Sequence, residues 1–361
     1  MVGRIQEFSA EGYRSIHRID VRFDDVNLIT GPNGCGKSNL FNSFRLIRAA
    51  IEGKLSQAIA LEGGFDSILW AGPRQDGPVR MTISLVADPF EYKLVLGLRP
   101  GNEFPLFPLD PQIKSEIVKL GGKVMVDRKS SVANLCSAQG RKQLRVDLVD
   151  SESIFSQIGD PEEFHYLYSL KELVARWAFY HEFRTDADSP LRRPSLATFA
   201  PRLNDDGSNI GTMLYIIQRQ GDFDKLSSIL SAAFPGSKFQ ADGGDFWMEV
   251  QGIRRRIEPR EFSDGTLKFL CLATICFGTR PPPLIALNEP ETSLNPALFE
   301  PLADLIANAA TSSQLWITTH SEALSQALVN RLACKPIRLD KVDGETVRAG
   351  RSPRNYFTEE E

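Results

Sequence analysis

The chain has 361 residues, 42% of them apolar and 24% charged, and 42 Lys and Arg stand against 46 Asp and Glu for a formal net charge of -4. That length suits one large domain with an insertion, or two lobes, and the composition excludes a low-complexity or disordered protein. The charge balance excludes a global field for nucleic acid or an acidic membrane surface, so any such contact must be local.

Five cysteines, an odd number without a CxxC pair, read as reduced thiols of a cytosolic protein with neither disulfide nor zinc. Met1 to Phe8 lacks the apolar stretch of a secretion signal, and the longest apolar run, Leu267 to Phe277, is short and contains Lys268. The expectation is a cytoplasmic protein without a membrane partner. Small basic groups occur at Arg254, Arg255, Arg256 and Arg260, at Arg141, Lys142 and Arg145, and at Arg192 and Arg193. Taken alone, each reads more readily as a solvated face than as a binding site.

In chain order, Val21 to Thr30 alternates and then turns apolar, which predicts a buried parallel strand. Gly31-Pro32-Asn33-Gly34-Cys35-Gly36-Lys37-Ser38 follows, a full match to G-x-x-x-x-G-K-[ST], and Asn39 to Ile51 reads as the helix that this motif requires next. In such a loop the glycines let backbone N–H groups curl round phosphates while the helix N-terminus faces them. Lys37 is then the ligand of the β and γ phosphates, and Ser38 the ligand of Mg²⁺. Cys35 is either a redox-sensitive thiol or a filler of a permissive position.

Val79 to Ala87 and Tyr92 to Leu98, separated by Asp88-Pro89, predict an antiparallel hairpin. Residues 1–100 thus form a first lobe of mixed sheet. From 101 to 190 the pattern loosens, Pro-rich, then polar, then helical from Pro161 to about Ala178, and this segment reads as an insertion. No sustained heptad exists in it, which excludes a long coiled-coil arm.

Residues 191–361 form a second lobe, with helices expected at Gly207 to Gln220 and Asp222 to Phe234. Two strands are strongly marked, Leu284 to Leu287 and Leu315 to Thr319, and Asn295 can cap a helix whose first residue is Pro296. Asn288-Glu289 closes the first of them as the acidic end of a Walker B element, where Glu289 would polarise the attacking water. Asn288 stands where such proteins usually carry an aspartate that helps hold Mg²⁺. An amide keeps an acceptor oxygen without the charge, so hydrolysis is expected to be slow.

Asn288-Glu289-Pro290-Glu291-Thr292-Ser293-Leu294-Asn295-Pro296 resembles the Walker B and D-loop segment of RecF/SMC-like ABC-type ATPases. Phe262-Ser263-Asp264-Gly265-Thr266-Leu267 resembles their signature motif, Thr319-His320-Ser321 their switch histidine, and Gly12-Tyr13-Arg14-Ser15-Ile16 their N-terminal strand with a nucleotide-facing arginine. The motifs span nearly the whole chain in the family's order. The nearest likeness is to compact, stand-alone AAA/ABC ATPases without a long coiled coil, and Phe179-Tyr180-His181-Glu182-Phe183-Arg184 is similar to a stretch of theirs.

The resemblance implies an α/β P-loop NTPase of the SMC-head type, two lobes with mixed β-sheet and a helical insertion, binding ATP and Mg²⁺. It implies a nucleotide site of Arg14, Asn33, Gly34, Cys35, Gly36, Lys37, Ser38 and Asn39. Glu289, His320 and Lys37 would act in catalysis, and Ser38 and Asn288 would hold the metal. Ser263 and Gly265 would act in trans in an ATP-dependent homodimer. Opening a helix, they also suit a phosphate receptor, although an ordinary N-cap explains Ser263 equally simply. Arg14 could pair with phosphate or with a neighbouring acid.

The implied function is an ATP-driven clamp or switch in DNA repair, chromosome maintenance or defence, with DNA or another protein as partner. A nucleotide-gated scaffold with little hydrolysis and a transporter's nucleotide-binding subunit are the alternatives. Gln75 and Gln112 are both open as the glutamine that links nucleotide to the first lobe, and His17, His165 and His181 read as ordinary surface or core residues.

Overall fold

The computed structural model describes residues 3–73, 77–98, 111–137 and 140–350. Gln75, most of the Pro-rich stretch at 100–111 and the side chains of Arg141, Lys142 and Arg145 lie outside what it describes. The chain opens with β1 (Ile5–Tyr13), β2 (Ile16–Arg22) and β3 (Val26–Thr30), then α1 (Lys37–Ile51), α2 (Leu55–Leu61) and α3 (Phe65–Ile68). Six strands follow, β4 (Arg80–Ala87), β5 (Phe90–Gly97), β6 (Gln112–Leu120), β7 (Lys123–Lys129), β8 (Val132–Ser137) and β9 (Gly140–Asp147). After α4 (Ile154–Gln157) and α5 (His165–Ala175) come β10 (Ala178–Tyr180), α6 (Ile210–Gln220), α7 (Phe223–Ala233), β11 (Ser237–Asp242) and β12 (Asp245–Val250). The remainder is α8 (Asp264–Phe277), β13 (Leu284–Asn288), α9 (Phe299–Ala309), β14 (Gln314–Thr319), α10 (Glu322–Leu332), β15 (Ile337–Val342) and β16 (Glu345–Arg348).

The described residues fall into two compact units, one within Met1–Asp24, Gly31–Trp177 and Ile337–Glu361, the other within Asp25–Thr30 and Ala178–Pro336. The first unit holds an eight-stranded antiparallel sheet in the order β2-β1-β4-β5-β6-β7-β8-β9. Strand alternation puts Met81, Ile83, Leu85, Tyr92, Leu94 and Leu96 inside. Helix α1 covers one face through Leu40, Phe41, Phe44 and Ile47, and Phe44 lies against both Phe8 and Trp177 at ring separations of 4.9 and 5.7 Å. The hairpin expected over 79–98 is present as β4 and β5.

Two local expectations are corrected. Val21 to Thr30 is not one strand: it is the end of β2 and all of β3, interrupted around the polar Asp24-Asp25. The segment at 112–147, read as loosened and polar, is four strands that extend the first sheet. In β6 and β7 the period-2 signal is masked because one inward position of each carries charge. Glu116 and Arg128 face each other across β6 and β7, fully buried, and form an ion pair at 2.9 Å.

That pair is embedded in further hydrogen bonds. Glu116 also accepts from Tyr92 Oη, Ser153 Oγ and Ile154 N, while Arg128 donates to the carbonyls of Ser130, Val149 and Glu152. Burial, then the Glu116 carboxylate, pushes the Tyr92 phenol well above its ordinary range.

In the second unit β10, β13, β14 and β3 form a parallel sheet in that order, with Tyr180 opposite Leu287, Asn288 opposite Thr318 and Thr319 opposite Thr30. All four strands therefore finish at one edge, where ligands of parallel α/β sheets bind. Helix α8 is buried without interruption from Leu267 to Phe277, as a helix apolar all round must be. It packs with α9 around Phe269, Leu270, Leu302, Leu305 and Ile306. Burial pushes the Cys276 thiol up to about 12, so this cysteine is an inert core residue. The helix expected from Pro296 begins as a 3-10 turn, Pro296–Leu298, with Asn295 Oδ1 accepting from Ala297 N. Among the described residues, no helix is long and apolar enough to cross a membrane.

Candidate functional site

The glycine-rich loop in the first unit has the backbone that its sequence demands. Gly34 and Gly36 take φ of 77° and 102°, a region that L side chains avoid, and a Cβ on Gly36 would collide with Thr346 Oγ1. Lys37 opens α1 and is buried, its Nζ donating to the carbonyls of Gly31 at 2.8 Å and Pro32 at 3.0 Å. The ammonium is thus held across the mouth of the loop. Asn33, Gly34 and Ser38 are exposed, and Cys35 is buried beneath them.

Two expected nucleotide contacts of this unit have protein partners. Asn39 Nδ2 donates to Ser15 Oγ at 2.7 Å, and Ser15 is bonded in turn to Thr346. Arg14, at φ 47°, pairs with Glu62 at 2.8 Å, which also accepts from Tyr13 Oη, while the buried Nε of Arg14 has no partner among the described residues. The neighbouring acid left open by the sequence is Glu62. Gln112 is committed to Asp150 at 2.8 Å within the β-sheet unit.

The second unit assembles the other motif residues at the ends of its parallel strands. Glu289 leaves β13 at φ 47°, uncommon for a residue with a Cβ, and its N–H donates to the Thr318 carbonyl at 2.9 Å. His320 leaves β14 with Nδ1 at 3.6 Å from Glu289 Oε2 and 3.2 Å from Glu291 Oε1. Asn288 Oδ1 accepts from Thr318 Oγ1 at 2.6 Å, and its Nδ2 lies 2.7 Å from His181 Nδ1, just beyond β10. A cavity of about 260 Å³ opens here, lined by His181, Glu182, Asp264, Lys268, Asn288 and Glu289 among others.

Ser263 caps α8, its Oγ accepting from Thr266 N at 3.2 Å, so the N-cap reading is realised. Gly265 lies close to the Ser293 carbonyl, where a Cβ would come within 3.2 Å. Signature loop and D-loop are therefore neighbours within the unit.

Four residues of this arrangement had escaped assignment. Lys268 is buried on α8 and donates to the carbonyls of Thr292 at 2.6 Å and Glu289 at 3.4 Å. Desolvation lowers its pKa, opposed by the carboxylates of Glu291, Glu182 and Glu289. Arg192 binds the carbonyls of Thr185, Asp186, Arg260 and Phe262 and the carboxylate of Asp264, tying the segment after β10 to the signature loop. His181 and Glu291 complete the set. A lysine inside an apolar helix was the legible sign for Lys268; the other three depend on partners remote in sequence.

A triphosphate suits the first unit's loop, with its positive-φ glycines, buried lysine and helix N-terminus. Among the described residues no group of three His, Cys, Asp or Glu could hold a metal by itself. The exposed hydroxyl of Ser38, at the head of α1, is a single donor of the kind that suits Mg²⁺, which keeps waters and shares substrate phosphates.

The family model "AAA domain, putative AbiEii toxin, Type IV TA system" matches residues 26–325. No curated protein matches the chain by sequence. Among solved structures, an SMC head bound to the C-winged helix domain of ScpA is similar at 15% identity and a TM-score of 0.54, over 95% of this chain and 96% of that one. An SMC head with an extended coiled coil, bound to the C-terminal domain of ScpA, derived from Pyrococcus furiosus, matches at 13% identity and a TM-score of 0.50, over 96% and 95%. These likenesses bear on fold. The chain has the fold of SMC heads and carries a phosphate-binding loop, and it belongs to the AAA-domain family whose model it matches.

Proposed function

We propose that this protein hydrolyses ATP slowly and uses the nucleotide to close and open a homodimer. The observation that supports it best is the pairing of Glu289 and His320 at adjacent parallel strand ends, in a chain that also carries a complete phosphate loop. Lys37, at the head of α1, binds the β and γ phosphates, and the backbone N–H groups of Asn33 to Ser38 receive the remaining charge. Ser38, with Asn288, would hold Mg²⁺, which when bound neutralises charge developing on the phosphate oxygens.

Glu289 accepts a proton from the attacking water, and its carboxylate is oriented by a backbone fixed against Thr318. His320 supports the reacting end of the triphosphate from the adjoining strand. Ser263 and Gly265, at the N-terminus of α8, complete the site of a second copy, so that loss of the γ-phosphate releases the dimer. Arg14 and Asn39 shape the loop through Glu62 and Ser15. A nucleotide-gated scaffold is the second reading, favoured by Asn288, whose oxygen is already accepting from Thr318.

What the dimer holds is proposed from likeness alone. The SMC heads above bind parts of ScpA, which makes a protein partner one proposal; duplex DNA is the other. The decisive experiment is sizing in Mg²⁺-ATP of the wild type and Glu289→Gln, with phosphate release measured alongside. Dimer accumulating in the variant as turnover disappears supports the proposal, whereas monomer throughout rejects the dimer and equal turnover rejects Glu289 as base. DNA binding absent at low salt, with and without ATP, would remove that partner.

A further inference from the structure

Glu291 lies two residues beyond the proposed base and is only 4% exposed. Its Oε1 takes Thr319 Oγ1 at 2.5 Å, His320 N at 3.0 Å and Ser321 N at 3.3 Å, and stands 3.2 Å from His320 Nδ1. Every one of these donors belongs to three consecutive residues at the end of β14. Capping does not explain the concentration, because Ser321 already caps α10 through Leu324 N.

Nor does stability explain it. Oε2 of Glu291 is buried without a partner among the described residues, and an unsatisfied carboxylate oxygen costs folding free energy. On the opposite flank Lys268 grips the carbonyls of Glu289 and Thr292, so the two residues on either side of Pro290-Glu291 are also fixed.

A histidine whose one ring nitrogen faces a fixed carboxylate has its proton and its orientation set by that carboxylate, and the other nitrogen is left for the ligand. We infer that Glu291 is a positioning residue for His320, keeping hydrogen on Nδ1 and presenting Nε2 to the reacting end of the triphosphate. The assignment rests on the ATPase reading for its consequence in turnover, but the tautomer of His320 is independent of it.

The test uses the full chain, which has only four histidines. Imidazole ¹⁵N shifts of the wild type, with His320 identified by His320→Ala, should report hydrogen on Nδ1; hydrogen on Nε2 alone would overturn the inference without any variant of Glu291. Glu291→Ala should release the tautomer and lower kcat on the order of 10-fold with little change in ATP affinity. Glu291→Gln, which keeps an acceptor oxygen, should restore most of both. In the His320→Ala background Glu291→Gln and Glu291→Ala should differ little in kcat, and a persistent difference there would also overturn the inference. Should the wild type show no turnover, the ATPase reading falls while the ¹⁵N shifts still decide the role of Glu291.

Discussion

Asn288 Nδ2 lies 2.7 Å from His181 Nδ1, across the β10–β13 pair, and this contact orients the Walker B amide. With Thr318 donating to Oδ1, Nδ2 must be the donor toward His181, whose own proton then resides on Nε2. Asn288→Asp sets a carboxylate oxygen against the Nδ1 lone pair, so His181 should move its proton to Nδ1. The same variant should lower the Mg²⁺ needed for half-maximal turnover by roughly 10-fold. Imidazole ¹⁵N shifts and a Mg²⁺ titration check the two halves separately.

Lys37→Ala should abolish binding of a fluorescent ATP analogue while leaving the fold intact, because its two bonds are to carbonyls of an exposed loop. Glu289→Gln should do the reverse, retaining the analogue and losing turnover by on the order of 100-fold or more. Equal loss of binding in both variants would contradict the division of labour proposed for them.

Arg192→Ala should leave ATP binding by the monomer unchanged and weaken the ATP-dependent dimer. One guanidinium holds the carbonyls of Arg260 and Phe262 and the carboxylate of Asp264, and no smaller residue can replace that span. A stability loss of about 2 kcal/mol in urea is expected from the charge-assisted bonds. A dimer of unaltered strength would show that the signature loop needs no such brace.

Glu116→Ala should destabilise the eight-stranded sheet by about 3–5 kcal/mol, since it strands the fully buried Arg128. Arg128→Met together with Glu116→Leu should recover much of that loss. Denaturant midpoints of the two variants give the comparison, and equal midpoints would mean that the loss belongs to packing.

The nucleotide motifs were legible because each is a run of residues whose chemistry depends on local backbone. Gly34, Gly36 and Lys37 need nothing beyond the turn and helix start they themselves form. The positions of Glu289 and His320 were legible in the same way, each just past the end of an apolar strand. Strands β6 and β7 were not found because Glu116 and Arg128 occupy inward positions and break the apolar alternation. His181 and Glu291 were missed for a related reason: His181 meets Asn288 from 107 positions away, and Glu291 meets Thr319 from 28. Parallel pairing across long connections supplies those contacts, and single-sequence spacing carries no trace of them.

The left-handed backbone at Glu289 separates two selections that usually act together. Its φ of 47° is reached freely by glycine and tolerably by asparagine or aspartate, but a β-branched residue there would be badly strained. A library randomised at position 289 and sorted only for folded protein should drift toward glycine and asparagine. Sorted for phosphate release, it should return glutamate, and the gap between the two winners would measure what the molecule gives up in robustness to keep a working base at that corner.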